Sequence, residues 1–373
     1  MNEVLKMIRY IKNRNLEYLN HILDENLVIG IFGAGGYAHT LIDELRKLNI
    51  NVSFCVVDDS FYKGGLECNG IQVISVSECN ETKKSAFLLI GFGMNYQNEE
   101  EEKKRIRKLI DSSIEIVDFE DQFVSSFYYM DYSFVLKYSK DLQRLYDSFE
   151  DDKSKQLLVD YINGRLSGNL NCMKNYQNSL QNDYSLELVF QKKTGKGIIY
   201  DCGAYDGTSA IQINDYLDSV PKIIAFECDD NNYSILMQNV KRFENIIPVK
   251  KGVWNQTTTL FVTGEGQEAK ISDYYSDHMS NIIETVSLDD YTQEPVLAIF
   301  MDIEGAEYQA LQGAKRIIEG YQPVLAVRMY HKMEDFIKIQ PLIDSFNTKR
   351  RYRYYLRYNG HYRGAADLTL YAV

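Results

Sequence analysis

Short apolar runs alternate with amphipathic stretches over the first part of the chain. Residues 27–33, LVIGIFG, are apolar and end in glycine, which predicts a buried strand. Gly33, Gly35, Gly36 and Ala38 follow, then an amphipathic stretch from His39 to Leu48, so the segment predicts strand, glycine turn and helix. A second strand is predicted over Val52–Val57, ending at Asp58 and Asp59, with further strands over Ile71–Val76 and Phe87–Gly91. Strands alternating with helices imply a parallel sheet covered by helices. Glu99–Glu102 precede Lys103, Lys104, Arg105, Arg107 and Lys108. The pairs Glu100/Lys104 and Glu101/Arg105 stand four apart with acid before base, the order of a solvated helix face.

Between Phe119 and Lys193 the alternation stops. Leu142–Phe149 and Ser154–Leu166 predict helices, and Asn169–Asp183, rich in Asn and Gln, predicts a loop with a short helix. Alternation resumes at Gly197, with strands expected over Ile198–Asp201, Ile223–Glu227, Ile246–Val249, Val296–Met301 and Val324–Met329, and a helix over Ser209–Leu217. Two late strands, Tyr352–Tyr358 and Leu368–Val373, flank a Gly360–Ala365 loop. The expected organisation is α/β: a smaller N-terminal Rossmann-like domain over 1–112, a helical connector over 113–195 and a second globular domain over 196–373.

Composition narrows the class. Apolar residues are 45% of the 373 and charged residues 25%, as in folded globular chains. The 41 basic and 53 acidic residues leave a net charge of −12, which argues against a protein that coats nucleic acid. Cys55, Cys68, Cys79, Cys172, Cys202 and Cys228 are scattered without a C-x-x-C pair, which argues against a zinc cage and a disulfide framework. Met1–Asn20 mixes charges with its apolar residues, unlike a signal peptide, and no apolar run approaches the roughly 20 residues that span a bilayer. A soluble cytoplasmic protein of a reducing compartment is expected.

Three clusters carry candidate chemistry. The first is Asp201-x-Gly203-x-x-x-Gly207, between strand and helix, with Glu227 at the next strand end. Glycines there let backbone approach a ligand, the helix start offers free N–H groups, and the acid can accept two hydrogen bonds from a ribose diol. The G-x-G-x-x-G spacing that cradles a pyrophosphate is absent, which favours a nucleoside without phosphates. The second cluster holds Asp302, Glu304 and Glu307 after a strand; the third holds Arg328, Tyr330, His331 and Lys332 after the next. In an open α/β sheet both would rim one crevice, where acids and a histidine suit proton abstraction from a hydroxyl, directly or through a metal. Glu307 falls in a first helical turn, where acids complement the dipole, and is read as structural. His21, His39, His278 and His361 receive no role, and Trp254, Cys202 and the Cys228 thiol are read as packing. The run Lys349–Tyr358 interleaves base with aromatic, as an RNA-binding strip or a strand with a basic face would; structure with a minor substrate role for Arg357 is the preferred reading.

The segments YDCGAYDGTSA, AFECDDNNY, VSLDDY, FMDIEGAEYQALQGA and the run from YHKMED to the closing LYAV, in this order, resemble FkbM-type S-adenosylmethionine-dependent methyltransferases. The resemblance spans about residue 140 to 373 and includes the helical lead-in FEDDKSKQLLVDYINGRLSGN. It implies a class I methyltransferase fold, a Rossmann-like seven-stranded sheet whose final pair is an antiparallel hairpin, and methyl transfer, usually to oxygen. With it comes S-adenosyl-L-methionine as cofactor, placed at Asp201, Gly203, Ala204, Tyr205, Gly207, Thr208, Glu227 and Cys228. In the first domain, IFGAGGYAHTLIDEL, VVDDS, KGG and GIQVIS look like the Rossmann-like N-terminal domain of bacterial nucleotide-sugar acetyltransferases. Tyr37 stands where that family usually has histidine, and the hexapeptide β-helix is absent, so acetyl transfer is not implied.

The expected activity is O-methylation of a sugar hydroxyl, on a nucleotide-linked or glycan sugar of a bacterial surface (capsular) polysaccharide. His331 is the expected general base. Asp302 and Glu304 orient the hydroxyl or bind a divalent metal, and Arg328, Tyr330, Lys332 and Arg357 contact substrate. The expected partner is the small-molecule sugar, with no nucleic acid and no membrane span; the oligomeric state stays open. The rivals are a lipid, polyketide or protein acceptor, and a non-catalytic nucleotide-sugar binding protein. A weaker third is a dinucleotide oxidoreductase resting on Gly33-x-Gly35-x-x-Ala38 with Asp58.

Overall fold

Successive side chains of a strand point to opposite faces, so a strand apolar at every position needs cover on both sides. The central strands of the two larger sheets of this protein meet that condition. The computed structural model describes residues 2–10, 28–47, 49–91, 99–117, 130–168, 171–176, 184–190, 197–217, 221–263, 270–272, 281–359 and 368–373. The predicted loop at Gly360–Ala365, most of Asn169–Asp183, and His21, His278 and His361 lie outside these residues.

The first sheet comprises β1 (Ile29–Phe32), β2 (Phe54–Val57), β3 (Glu67–Cys68), β4 (Ile71–Ser75), β5 (Phe87–Ile90) and β6 (Glu115–Val117). Its order is β3-β4-β2-β1-β5-β6, parallel throughout except between β3 and β4. Helices Gly36–Lys47, Val76–Thr82 and Glu99–Leu109 pack with it, the first beginning at Gly36 rather than His39. β6, within the span expected to be helical connector, pairs instead with β5 of this sheet.

The second sheet is built from β7 (Ile198–Cys202), β8 (Lys222–Phe226) and β9 (Ile246–Val249). After an excursion through β10 (Gly252–Val253), β11 (Thr259–Thr263), β12 (Lys270–Ser272) and β13 (Asn281–Val286) it continues with β14 (Val296–Met301), β15 (Val324–Arg328), β16 (Tyr354–Tyr358) and β17 (Leu368–Ala372). The order β16-β17-β15-β14-β7-β8-β9, with β17 antiparallel to both neighbours, is the class I methyltransferase arrangement expected. The strands β10 to β13 form a separate four-stranded sheet that the hydrophobic pattern did not predict. Tyr200 and Cys202 face the helices Asp152–Ser167, Glu307–Gln312 and Asp335–Ser345, while Ile199, Ala298 and Phe300 face Thr208–Tyr216 and Asp230–Val240.

The helix Asp152–Ser167 is capped by Asp151, whose Oδ1 accepts from Ser154 N at 2.8 Å, and ends at Gly168 in the left-handed region. The start of the chain packs on this region too. Asn2 Nδ2 donates to the Ser139 carbonyl at 2.6 Å, and Gln143 Oε1 and Asn163 Oδ1 accept from the backbone of Glu3 and Arg9. Among the described residues no helix is long and apolar enough to cross a membrane.

The interleaved run before β17 does not make a binding strip. Tyr352, Tyr354 and Tyr358 are buried, and the hydroxyls of Tyr352 and Tyr354 donate to the Pro323 carbonyl and Asp344. Arg357 is buried as well, its Nη2 2.6 Å from Asp151 Oδ2 and its Nη1 2.9 Å from Ser154 Oγ. It joins β16 to a helix start and is not available to a substrate, because its donors already have protein acceptors.

Candidate active site

The chain reverses its course across the second sheet between β7 and β14, and the carboxyl ends of these two strands flank the crevice where ligands of open α/β sheets bind. The ladder continues one step past the strands. Asp302 N donates to the Cys202 carbonyl, and Gly203 and Ala204 N both donate to the Phe226 carbonyl. Gly203 then turns with φ +82°, and a Cβ there would lie 1.9 Å from the Asp302 carbonyl oxygen. The glycine is required by the crossing of its own chain over Asp302. Gly207, at φ +89°, would drive a Cβ to 2.8 Å from Leu236 and 2.9 Å from Val240, so it seats one helix on the next. Contacts within the protein thus require glycine at both positions, alongside the ligand approach expected from the sequence.

Glu227, buried at the end of β8, accepts from Tyr205 N at 3.0 Å through Oε2 and from Asp229 N at 2.8 Å through Oε1. Each oxygen retains acceptor capacity. Burial pushes its carboxyl above the ordinary carboxylate range despite those N–H donors. Tyr205 beside it is exposed and holds a positive φ of 49°. Asp201 is buried and accepts from Ser209 Oγ at 2.6 Å, tying the turn to the helix. Thr208 opens that helix, its N–H taken by Asp206 at 2.9 Å. Cys228, read as a packing residue, is exposed.

Across the crevice Asp302 is surrounded by donors. Tyr330 Oη lies 3.1 Å from Oδ1, Arg328 Nε 3.3 Å from Oδ2, and His331 Nε2 3.5 Å from Oδ1. Arg328 is buried, bonds Thr369 Oγ1 at 3.0 Å and lies over the Tyr184 ring, so it acts on Asp302 from beneath. Glu304 is exposed, with its backbone at φ +54° and an oxygen 3.5 Å from His331 Nε2. Lys332 Nζ donates to the Gly305 carbonyl, holding that bend.

Glu307, read from the sequence as a structural first-turn acid, organises this side. Glu307 is fully buried; its Oε1 accepts from Ile303 N at 3.0 Å and lies 2.9 Å from His331 Nδ1. It is therefore not only a first-turn acid: it fixes the imidazole ring and leaves Nε2, which makes no hydrogen bond among the described residues, toward Asp302 and Glu304. Burial alone would lower the His331 pKa, but Glu307, Asp302 and Glu304 outweigh it and hold it up at about 9. Donor atoms of Asp302, Glu307 and His331 lie within 4.8 Å of one another, a spacing a cation could use; Glu304, named for that role from sequence, is not in this set. Asp335, unremarked in the sequence, lies buried nearby, and burial with Glu307 close by raises its carboxyl to about 8.

The comparison with known proteins bears on this half of the chain. Residues 201–360 match the family model of the methyltransferase FkbM domain. The second unit carries an FkbM methyltransferase domain. Among solved structures, a methyltransferase FkbM from Methylobacillus flagellatus KT superposes with a TM-score of 0.71 over 98% of this chain and 94% of its own, at 20% identity. That likeness concerns fold, and it extends through the first sheet as well as the FkbM domain. An rRNA methylase from Streptococcus thermophilus (TM-score 0.33, 15% identity, 50% of this chain and 92% of its own) is more distant. So is Aeropyrum pernix fibrillarin with bound S-adenosyl-L-methionine (TM-score 0.33, 14% identity, 52% and 76%); neither decides anything here. No curated protein matches the sequence. Nothing in these comparisons supports the acetyltransferase-like resemblance of the first domain. There Asp58, the acid a dinucleotide reading needs, is 2.8 Å from Arg105 in an ion pair.

Proposed function

We propose that the protein transfers a methyl group from S-adenosyl-L-methionine to a sugar hydroxyl, on a nucleotide-linked or glycan sugar of a bacterial surface polysaccharide, in the cytoplasm. The observation that carries the reading is one crevice with two unlike walls. A buried carboxylate with spare acceptor capacity, Glu227, stands at the end of β8, and a ring-fixed histidine stands beside Asp302 at the ends of β14 and β15. The residues fit the cofactor: Glu227 would accept the ribose hydroxyls, beside Gly203, Ala204, Tyr205 and Cys228, while Asp201, Gly207 and Thr208 hold the turn and helix start. When bound, S-adenosyl-L-methionine supplies a sulfonium methyl open to in-line attack.

The chain's own work is on the acceptor. A sugar hydroxyl is a weak acid, and holding its oxygen in attack geometry can lower the barrier by about 7–11 kcal/mol. His331 Nε2 would take the hydroxyl proton, with Glu307 holding Nδ1 and stabilising the charge that results. Tyr330 and Asp302 would orient the hydroxyl. A divalent cation at Asp302, Glu307 and His331 is the second reading, favoured by the spacing of their donor atoms; bound there, it would polarise the acceptor oxygen.

The test is release of S-adenosylhomocysteine over a panel of nucleotide sugars, with calorimetry of S-adenosyl-L-methionine alongside. His331→Ala should cut turnover at least 100-fold at unchanged cofactor affinity. Turnover that survives this change would remove His331 as base, loss of activity to a chelator with recovery on added Mg²⁺ or Mn²⁺ would favour the cation, and absence of any cofactor heat would leave a binding protein.

A further inference from the structure

Beside His331 and Gly305 lies a cavity of about 800 Å³. Three separate stretches wall it: the helix Tyr132–Lys137 with its cap Asp131, the helix Glu307–Gln312, and residues 331–338. His331 belongs to this cavity and to the crevice, so the two spaces share one wall.

The polar groups around the cavity divide into two kinds. At its floor Asp335 is 3% exposed and, among the described residues, neither its Oδ2 nor the buried Gln309 Oε1 has a hydrogen-bond partner. A buried acceptor left unpaired forfeits its hydration without return, so two of them at one cavity call for a ligand that brings donors. At the rim stand three exposed lysines, Lys137 from the first stretch and Lys332 and Lys338 from the third. Of the rim acids, Asp131 is engaged in capping, accepting from Ser133 Oγ at 2.7 Å and Phe134 N at 2.6 Å, and Glu334 is exposed. Acceptors below and ammonium groups above fit a molecule that is polyhydroxylated at one end and anionic at the other.

We infer that this cavity seats the body of the acceptor, a sugar bearing a phosphate group whose reacting hydroxyl reaches past His331 toward Asp302, with Asp335 and Gln309 accepting from its other hydroxyls and Lys137, Lys332 and Lys338 holding the phosphate. The inference rests on the methyltransferase reading above and narrows its substrate class. A volume of about 800 Å³ is ample for a hexose phosphate, in the range of ordinary small-molecule sites.

The experiment is calorimetry on the full chain with hexose 1-phosphate, the matching free hexose and inorganic phosphate, and S-adenosyl-L-methionine titrated into the same samples. Hexose 1-phosphate should bind at least tenfold more tightly than either fragment. Lys137→Ala and Lys338→Ala, both at exposed positions, should each weaken it about tenfold and raise the acceptor KM in parallel, with cofactor affinity unchanged. Asp335→Asn, checked for an unchanged melting temperature, should weaken the free hexose and the hexose phosphate alike. Nucleotide hexose and vesicles carrying a polyprenyl-phosphate hexose then separate a soluble from a lipid-linked source of the same group. Hexose 1-phosphate that fails to bind, binds equally to the lysine variants, or binds no better than inorganic phosphate would overturn the inference. Loss of cofactor binding in the unaltered chain would instead strike the methyltransferase reading.

Discussion

Replacing Gly203 with alanine tests the geometry on which the crevice depends. Two separate costs meet there. The residue sits at φ +82°, where an L side chain is disfavoured by about 1–2 kcal/mol. The added methyl would then fall 1.9 Å from the Asp302 carbonyl oxygen, which is backbone in the ladder between β7 and β14 and cannot rotate away. Overpacking of this kind adds about 1–3 kcal/mol, so Gly203→Ala should destabilise the domain by about 2–5 kcal/mol. For a domain of this size that is a fall of roughly 5–20 °C in Tm. Gly207→Ala shares the backbone strain, but its methyl meets the ends of Leu236 and Val240, which can turn, so its loss should be smaller. At Gly35 an added methyl would touch nothing within 4 Å, and Gly35→Ala should stay within about 0.5 kcal/mol of the parent. Thermal unfolding by circular dichroism ranks the three, and calorimetry with S-adenosyl-L-methionine reads the crevice directly. A Gly203→Ala protein that melts with the parent and binds the cofactor as tightly would refute the crossing as the reason for glycine.

Other outcomes follow from single contacts. Glu227→Gln replaces one acceptor oxygen with a donor and should weaken S-adenosyl-L-methionine about 10- to 100-fold by calorimetry while Tm changes little. His331 acts as a base only when neutral, so turnover should rise with pH until about 9, and Glu307→Gln should move that limb down by roughly 1–3 pH units. Because its folded pKa is raised, the stability His331 contributes is complete below about 6.5, its ordinary value, and fades as pH climbs through about 9. Arg357→Ala takes from Asp151 Oδ2 its charged partner and should cost about 2–3 kcal/mol by urea unfolding, less than for a fully buried pair because Asp151 is a third exposed. Burial would raise the Asp151 carboxyl, but Arg357 and Ser154 hold it below its ordinary value of 3.8, so the gap between parent and variant should be full at neutral pH and close as pH falls below that value.

Much of the methyltransferase half was legible because local pattern and global position agree there. The alternation of Ile198–Cys202, the turn at Gly203 and the acid at Glu227 each state their place in three to six consecutive letters, and Asp302 and His331 follow apolar strands that can only lie at a sheet's carboxyl edge. What escaped depends on contacts between segments far apart in the chain. Glu307 reads as an ordinary first-turn acid until residue 331 is laid against it, and Arg357 reads as a substrate cation until β16 is set beside Asp151. Asp335 opens a helix in sequence but floors a cavity whose other wall begins two hundred residues earlier, at Asp131. The small sheet of β10 to β13 escaped for a different reason: its strands are two to six residues long, and the brief apolar runs Leu260–Val262 and Ile282–Ile283 lie among polar stretches.

The docking of Asn2 to Arg9 on the helices Ser139–Ser148 and Asp152–Ser167 reaches beyond those few bonds. Counted along the polypeptide, the first sheet is flanked on both sides by segments that belong to the methyltransferase body, so the two units are nested rather than laid end to end. Trimming the chain ahead of Ile29 would strip acceptors such as Gln143 and Asn163 of their backbone partners on the second unit while leaving the first sheet intact. A cut meant to isolate one half therefore injures the other.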